Sequence, residues 1–406
     1  MHILVIASAE SLWTKKYIER VLLPGGHTVT LLSQQFPIVK DFYDAHGIQV
    51  IALAPQPRFV GQAGGSGATA HISLSKRIYL AIKKTLPARL KKYIRQARMR
   101  RVVAVATKGI PAPDAIHMHY INPDMQEVYA HTWMNFSGPL ILTYWGSDIL
   151  RLTGKPYNQS LLAKASAITF MAEGLQEAFR RVYGVKYDNK LRIIDFGVSV
   201  YDAIDGLDRS AAAHEANRQH FGIPTGKVCI MAGYNANPGQ QHLPMIEAID
   251  RLPNASKLNI HVLLQYSYNY TESPEYYASI AKRLENVGFS WTIIDIFMDD
   301  MESARLRDAV DIFIHGQVTD ALSASMLEYL YAGALVVNGK WLVYRELESR
   351  GIFYMQFDTF EHLTFLLADI LAAESRASFD AATNRAALYA MNSWDAVREK
   401  WLQIYV

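Results

Sequence analysis

The chain has 406 residues, half of them hydrophobic and 19% charged, with a formal net charge of +3. That length matches two ordinary domains, and the composition excludes a disordered protein. The single cysteine, Cys229, excludes an intrachain disulfide and a multi-cysteine metal site, and a reducing compartment suits it best.

Residues 3–7 read as a strand and 11–23 as a helix with Trp13, Tyr17 and Val21 on one face, stopped by Pro24-Gly25-Gly26. The opening apolar run is too short, and lacks the basic flank, for a signal peptide. No later stretch reaches the roughly 18 uninterrupted apolar residues that span a bilayer. The expectation is a cytoplasmic protein, peripheral to the inner face of the membrane. Short apolar runs at 28–32, 49–53, 115–118, 140–143, 167–170 and 191–194 continue the strand series, with helical patterns between them. Helices between buried strands predict parallel pairing, hence a doubly wound, Rossmann-like α/β domain over 1–200. The sequence turns small and polar around 197–222, and strands restart at 227–232, 258–264, 291–296, 310–315 and 334–338. A second such domain is therefore expected over 201–390. Trp394, Val397, Trp401 and Ile404 at helical spacing make 391–406 a closing helix, expected to pack back toward the first domain. In such a pair, sites are expected at the carboxyl ends of strands facing the crevice between the domains.

The insertion over 61–108 has a different chemistry. No acidic residue occurs from Ala45 to Pro113, which holds 13 Lys or Arg, so the rest of the chain has 28 cations against 38 acids. A Gly-rich loop at 61–67 precedes two helices split by Pro87. Leu74, Ile78, Ala81 and Ile82 share one apolar face, and Leu90, Ile94 and Ala97 another. The opposite faces carry Lys76, Arg77, Lys83, Lys84, Arg89, Lys91, Lys92 and Arg95. Solvated faces usually mix signs; this one fits an anionic membrane surface or acceptor headgroup, at about 1 kcal/mol per basic residue near a charged leaflet. A nucleic-acid module, with Tyr79 and Tyr93 interleaved, is the rival for this segment, but the acidic balance elsewhere argues against a polyanion channel, and no nucleic acid is expected.

No Gly-x-Gly-x-x-Gly follows the first strand, and there is no Walker loop or Gly-x-Ser-x-Gly elbow. Nicotinamide, P-loop and hydrolase chemistries drop accordingly. Three strand ends stand out instead. Alternation sends His117 and His119 to one side of their strand, with His119 at its carboxyl end. Tyr144-Trp145-Gly146-Ser147-Asp148 empties a strand into a turn where Ser147 and Asp148 either cap a short helix or face a ligand. Residues 314–320 lead into a helix over 322–331, whose N-terminus with Ser323 and Ser325 suits a phosphate. Asp320 and Glu328, eight apart, would lie about 12 Å apart on one continuous helix, matching the two ends of an elongated ligand. Asp299-Asp300 reads as a helix cap rather than a metal motif. Tyr266, Tyr268 and Tyr270 read mainly as packing, with one of them available to stack on a nucleotide base.

With these residues in place, the chain resembles GT-B fold glycosyltransferases, similar to family 4, over most of its length. Gly26-His27-Thr28-Val29 is similar to the family's Gly-His-x-Val turn, and His117-Met118-His119 to its His-x-His segment. Asp195-Phe196-Gly197-Val198 stands at its Pro-Asn-Gly-Val hinge, and Asp320 through Glu328 at its Glu-x7-Glu motif. The resemblance implies two Rossmann-like domains and transfer of a sugar from a nucleotide-sugar donor to a lipid-linked or glycan acceptor, with no cofactor or metal ion. His119, Asp148 and Asp320 become the catalytic candidates; Gly233, Tyr234, Asn235, Tyr266, Ser323, Ser325 and Glu328 become the donor-binding ones. The chain departs from the family at Asp320, which is one methylene shorter than Glu, and over 233–242, which lacks the diphosphate-binding Arg and Lys. Either the helix N-termini and a displaced base such as Lys340 or Arg345 compensate, or the donor differs. The stretches 234–242 and 263–268 have a weaker similarity to inverting fucosaminyltransferases acting on lipid-linked enterobacterial common antigen. Retention is favoured over inversion. A nucleotide-sugar epimerase of the same fold is the alternative, and turnover without acceptor would reveal it.

Overall fold

The computed structural model describes residues 1–34, 40–53, 87–120, 123–133, 135–150, 159–266, 273–372 and 381–406. It divides into two compact units: Met1–Phe170 with Leu175–Ile193 and Lys400–Val406, and Met171–Gly174 with Ile194–Glu399. The basic residues Lys76, Arg77, Lys83 and Lys84, the loop 61–67, and Tyr268 and Tyr270 lie outside the described residues.

In the first unit, β1 (His2–Ile6), β2 (Thr28–Ser33), β3 (Gln49–Ala52), β4 (Ala115–His119), β5 (Leu140–Tyr144), β6 (Ala167–Phe170) and β7 (Leu191–Ile193) form one sheet in the order β3-β2-β1-β4-β5-β6-β7. Every pairing is parallel. β4 and β5 are buried at every position, as strands covered by helices on both faces must be. In the second unit, β8 (Val228–Ala232), β9 (Ile260–Gln265), β10 (Ser290–Ile294), β11 (Ile312–His315), β12 (Leu335–Gly339) and β13 (Met355–Phe357) take the order β10-β9-β8-β11-β12-β13, again all parallel. Both orders place a topological switch point between the first strand and the one that begins the return, β1/β4 and β8/β11. β13 is absent from the sequence reading, since Gln356 interrupts its two apolar residues.

The first helix, α1 (Leu12–Tyr17), stops earlier than expected. It continues as a π-turn over Ile18–Leu22, with Leu23 N donating to Ile18 O at 3.0 Å. Tyr17, Ile18, Val21 and Leu22 are all fully buried. α2 (Ala88–Ala106) is one 19-residue helix packed against α3 (Pro123–Thr132). Its packed positions include Gln96 and Val103, whereas Leu90, Tyr93 and Ile94 are 43%, 65% and 44% exposed. The apolar face foreseen at Leu90 and Ile94 is therefore open rather than covered. No described helix is long and apolar enough to cross a membrane.

The second unit's core gathers β8, β9 and β11 with α4 (His242–Asp250), through Ile230, Val262, Ile314, Met245 and Ile249, all fully buried. Each such side chain contributes about 1.5–3 kcal/mol. α5 (Asp300–Ala309) is capped by Asp299, whose Oδ1 accepts from Glu302 N at 2.8 Å. α6 (Ala324–Ala332) is capped by Ser323 and ends at Gly333, whose φ of 100° takes the left-handed cap that glycine tolerates. α7 (Trp394–Leu402) leads into the tail, and Trp401 and Tyr405 are buried in the first unit.

Candidate active site

In the first unit, the carboxyl ends of β1 and β4 open into a cavity of about 380 Å³, lined by Ala7, Ser8, Gln34, His119, Tyr120, Ser147 and Asp148 among others. It stands at the switch point, where helices leave on opposite faces and backbone groups are left open. His117 and His119 share a side of β4, with ring centroids 4.0 Å apart. His117 belongs to a hydrogen-bonded chain beneath the cavity. Its Nδ1 is 2.5 Å from the Tyr405 hydroxyl, which is 2.8 Å from that of Tyr17, and its Nε2 is 2.7 Å from Thr143 Oγ1. His119 lines the cavity, yet it is only 5% exposed, and neither ring nitrogen has a hydrogen-bond partner. Trp13, Tyr17 and Trp145 surround it, with centroids at 5.0, 5.6 and 6.0 Å. Burial pushes the imidazole down to about 3, so it is neutral near pH 7.

Asp148 is buried by the turn it forms. Its Oδ1 accepts from Gly146 N at 2.8 Å and from Trp145 N at 3.0 Å, which holds Gly146 at a φ of 144°. The capping alternative thus describes its hydrogen bonds, while its position keeps it on the cavity wall. Tyr120 has a left-handed φ of 51° and is 53% exposed at the rim. Such strain in a bulky residue clusters at binding sites.

Because His119 is packed on all sides, His119→Ala would open a cavity and confuse fold with function. His119→Phe is the cleaner variant. It keeps a ring in place and removes two unpaired polar atoms, so it is expected to stabilise the fold by about 1 kcal/mol. Transfer activity is expected to fall by at least about tenfold if a ring nitrogen meets the substrate. Thermal melting and turnover on the same preparation check both; unchanged turnover returns His119 to a packing role.

In the second unit, the end of β8 turns at Gly233, with φ 74° and its N–H on Ile314 O at 3.1 Å. A Cβ there would fall 3.0 Å from Gln240 Oε1 and His242 Nε2, so the loop closes only around glycine. Tyr234 follows and donates its hydroxyl to Asp320 Oδ2 at 3.3 Å, while Asn235 accepts from Asn237 N at 2.8 Å. Asp320 does not stand on the helix that carries Glu328. It lies in the loop after β11, four residues before α6 begins, so the continuous-helix spacing does not apply. Its Oδ1 accepts from Ala321 N at 2.7 Å, and its side chain is 17% exposed.

Glu328 sits on α6 with its Oε2 held by Arg307, at 3.0 Å from Nε and 2.9 Å from a terminal nitrogen. Arg307 is 4% exposed, lies over the Tyr329 ring and donates to the Tyr329 hydroxyl at 3.1 Å. Burial pushes the Glu328 carboxyl above its usual range, more than the Arg307 guanidinium pulls it down. Ser323 uses its hydroxyl as a cap, on Met326 N at 3.2 Å, and Ser325 is half-buried on the first turn of α6. Tyr266 is 3% exposed and packs on His242 and Tyr277, so its ring faces are not open to a base. That corrects its place among the donor-binding candidates and leaves it with the packing reading: the strand end it occupies is core. Lys340 pairs with Asp358 at 3.3 Å. Arg307, His315 and Asn338 were missed as site residues. The sequence marks Arg307 only as one more charge on a polar helix, and no local pattern tells it from a solvated arginine.

Neither the scan of protein-family models nor the search of curated proteins finds a match. Solved structures do match over the whole chain. A glycosyltransferase from Rickettsia africae ESF-5 superposes with a TM-score of 0.71 at 17% identity, covering 100% of this chain and 97% of its own. Anabaena HepE, solved in complex with UDP and glucose, gives 0.67 at 14%, covering 99% and 98%. Sucrose-phosphate synthase from Thermosynechococcus elongatus gives 0.68 at 14%, covering 100% and 98%. At these identities the likeness is one of fold, the two Rossmann-like domains of the GT-B class.

Proposed function

We propose that the chain is a metal-independent glycosyltransferase in which the second unit holds a nucleotide-sugar donor and the first holds a lipid-linked or glycan acceptor. The observation that carries this reading is the acid pair of the second unit. Asp320, in the loop after β11, and Glu328, on α6, are both partly exposed, and both are held by named groups. Hydroxyls of a sugar and of a ribose are the donors two fixed carboxylates would take. HepE, of similar fold, has been solved with UDP-glucose, which makes that compound the first probe.

Retention of anomeric configuration fits the first unit better than inversion. An inverting reaction needs a base for the acceptor hydroxyl, but Asp148 is engaged by two backbone N–H groups. His119, at about 3, is a weak base. In a retaining reaction the departing diphosphate takes that proton itself.

A thermal-shift panel of nucleoside diphosphates and nucleotide sugars tests the reading, since a ligand at 100 times its Kd adds about 2.7 kcal/mol. Stabilisation by a nucleotide sugar, consumed only when acceptor is present, is the expected result. Stabilisation by none of them overturns the reading.

The open apolar stripe of α2, flanked by exposed Arg89, Arg95, Arg98 and Arg101, supports work at the cytoplasmic membrane face, in cell-envelope polysaccharide or glycolipid synthesis. Changing these four arginines to glutamine is expected to weaken binding to anionic vesicles by roughly a hundredfold or more, at about 1 kcal/mol each. Nucleotide binding should be unaffected. Sedimentation with phosphatidylglycerol vesicles measures the first, and undiminished binding would refute the membrane role.

A further inference from the structure

Behind Asp320, away from solvent, stand two residues that no other part of this mechanism uses. His315 ends β11, and Asn338 is its register partner on β12. Both are fully buried. The orientation of the Asn338 amide is decided by its surroundings. Its Nδ2 lies 3.1 Å from Gly339 O and 3.0 Å from Leu342 O, two acceptors, so its oxygen is the atom that faces His315 Nδ1 at 2.9 Å. Nδ1 therefore carries a proton.

The other ring nitrogen, Nε2, makes no hydrogen bond and lies 3.5 Å from Asp320 Oδ2. Among the described residues the rings of Phe313, Tyr234 and Tyr344 also lie beside it, with centroids at 5.7, 5.8 and 6.1 Å. A bare lone pair on Nε2 would oppose a carboxylate oxygen across a buried gap where the effective dielectric is low. A proton there turns that repulsion into attraction. We propose that His315 is held as an imidazolium between Asn338 and Asp320, and that it is the positioning residue for the Asp320 carboxylate.

With Ala321 N on Oδ1 and the Tyr234 hydroxyl and His315 on Oδ2, the carboxylate is fixed at three points. Its side chain stays 17% exposed. What Asp320 does with this support rests on the donor-site reading; the protonation of His315 does not.

The test is nitrogen-15 NMR of the full chain labelled at histidine, with the His315 signals assigned from His315→Gln. The expected result is proton-coupled signals at both Nδ1 and Nε2 in the ligand-free protein near pH 7, and loss of the Nε2 proton in Asp320→Asn. A neutral ring in the parent chain, in either tautomer, overturns the proposal, as does an Nε2 proton that Asp320→Asn leaves in place.

Calorimetry with UDP-glucose and UDP tests the positioning role. His315→Leu is expected to weaken UDP-glucose about tenfold and leave UDP unchanged, while His315→Gln, which keeps one donor, recovers part of the loss. Equal losses for both ligands, or no loss, overturn the positioning role. A parent chain that binds neither, and that no compound of the thermal-shift panel stabilises, overturns the donor-site reading, and with it the role of Asp320, while the NMR result still decides the protonation; a nucleotide sugar that the panel selects instead takes the place of UDP-glucose, and its nucleotide that of UDP. Should His315→Leu fail to fold, the Gln variant carries the comparison, with weakened UDP-glucose and intact UDP as the supporting outcome.

Discussion

Asp320→Ala is expected to abolish sugar transfer and to weaken the intact nucleotide sugar by at least about tenfold while sparing the bare nucleotide. The carboxylate is oriented by Ala321 N and the Tyr234 hydroxyl and is 17% exposed, so it is presented to a ligand rather than consumed by packing. Glu328→Ala is expected to act differently. If Glu328 takes a ribose, both the nucleotide sugar and the nucleoside diphosphate weaken together, because both contain that ribose. Calorimetry of the two ligands on the two variants separates the roles. Asp320→Glu adds one methylene and is expected to press the carboxylate into the space of the sugar, so that transfer is not restored. Equal losses for both ligands in Asp320→Ala would mean that this acid orders the loop after β11 instead of reading the sugar.

Arg307→Met is expected to destabilise the second unit by about 3–5 kcal/mol, the usual cost of leaving a buried charge without its partner. Met fills much of the stem's volume, so the loss comes chiefly from stranding Glu328, whose Oε2 loses both of its guanidinium bonds. The pH dependence follows from the direction of the Glu328 shift. Burial raises its folded carboxyl above the unfolded value, so between those two values the folded state binds more protons and stability falls as pH rises. Removing Arg307 takes away the group that opposed this, so the deficit should be largest near pH 7 and shrink toward pH 5. Arg307→Met with Glu328→Gln, which carries no charge to strand, should recover most of the lost stability. Urea unfolding at the two pH values measures both effects. A deficit independent of pH would mean that lost packing over the Tyr329 ring, rather than a stranded charge, is responsible.

The strand ends that border the candidate site were legible in the sequence. The three strand ends singled out, at His119, at 144–148 and at 314–320, do lie at carboxyl ends of parallel strands. Two of them border the switch points β1/β4 and β8/β11. What could not be read was the state of each group. His119 looks like an open histidine by position, yet Trp13 and Tyr17, about a hundred residues away, wall it in and keep it neutral. Tyr266 is core, as its packing reading had it, and its place among the donor-binding candidates is what burial removes.

The architecture of two parallel sheets is written in local pattern, because short apolar runs separated by helical patterns bury both strand faces when helices cover a parallel sheet on each side. Alternation along a strand is local, and so are glycine turns such as Gly233 and helix caps such as Asp299 and Ser323. Which charges are paired, which rings are closed off and which apolar stripe stays open depend on contacts between distant segments. Arg307 meets Glu328 across 21 residues, His315 meets Asn338 across 23, and Tyr405 meets His117 across 288. The charge and orientation of a side chain are set by the nearest polar groups and by the water excluded around it, and both come from neighbours that chain folding, not chain order, brings within about 3 Å.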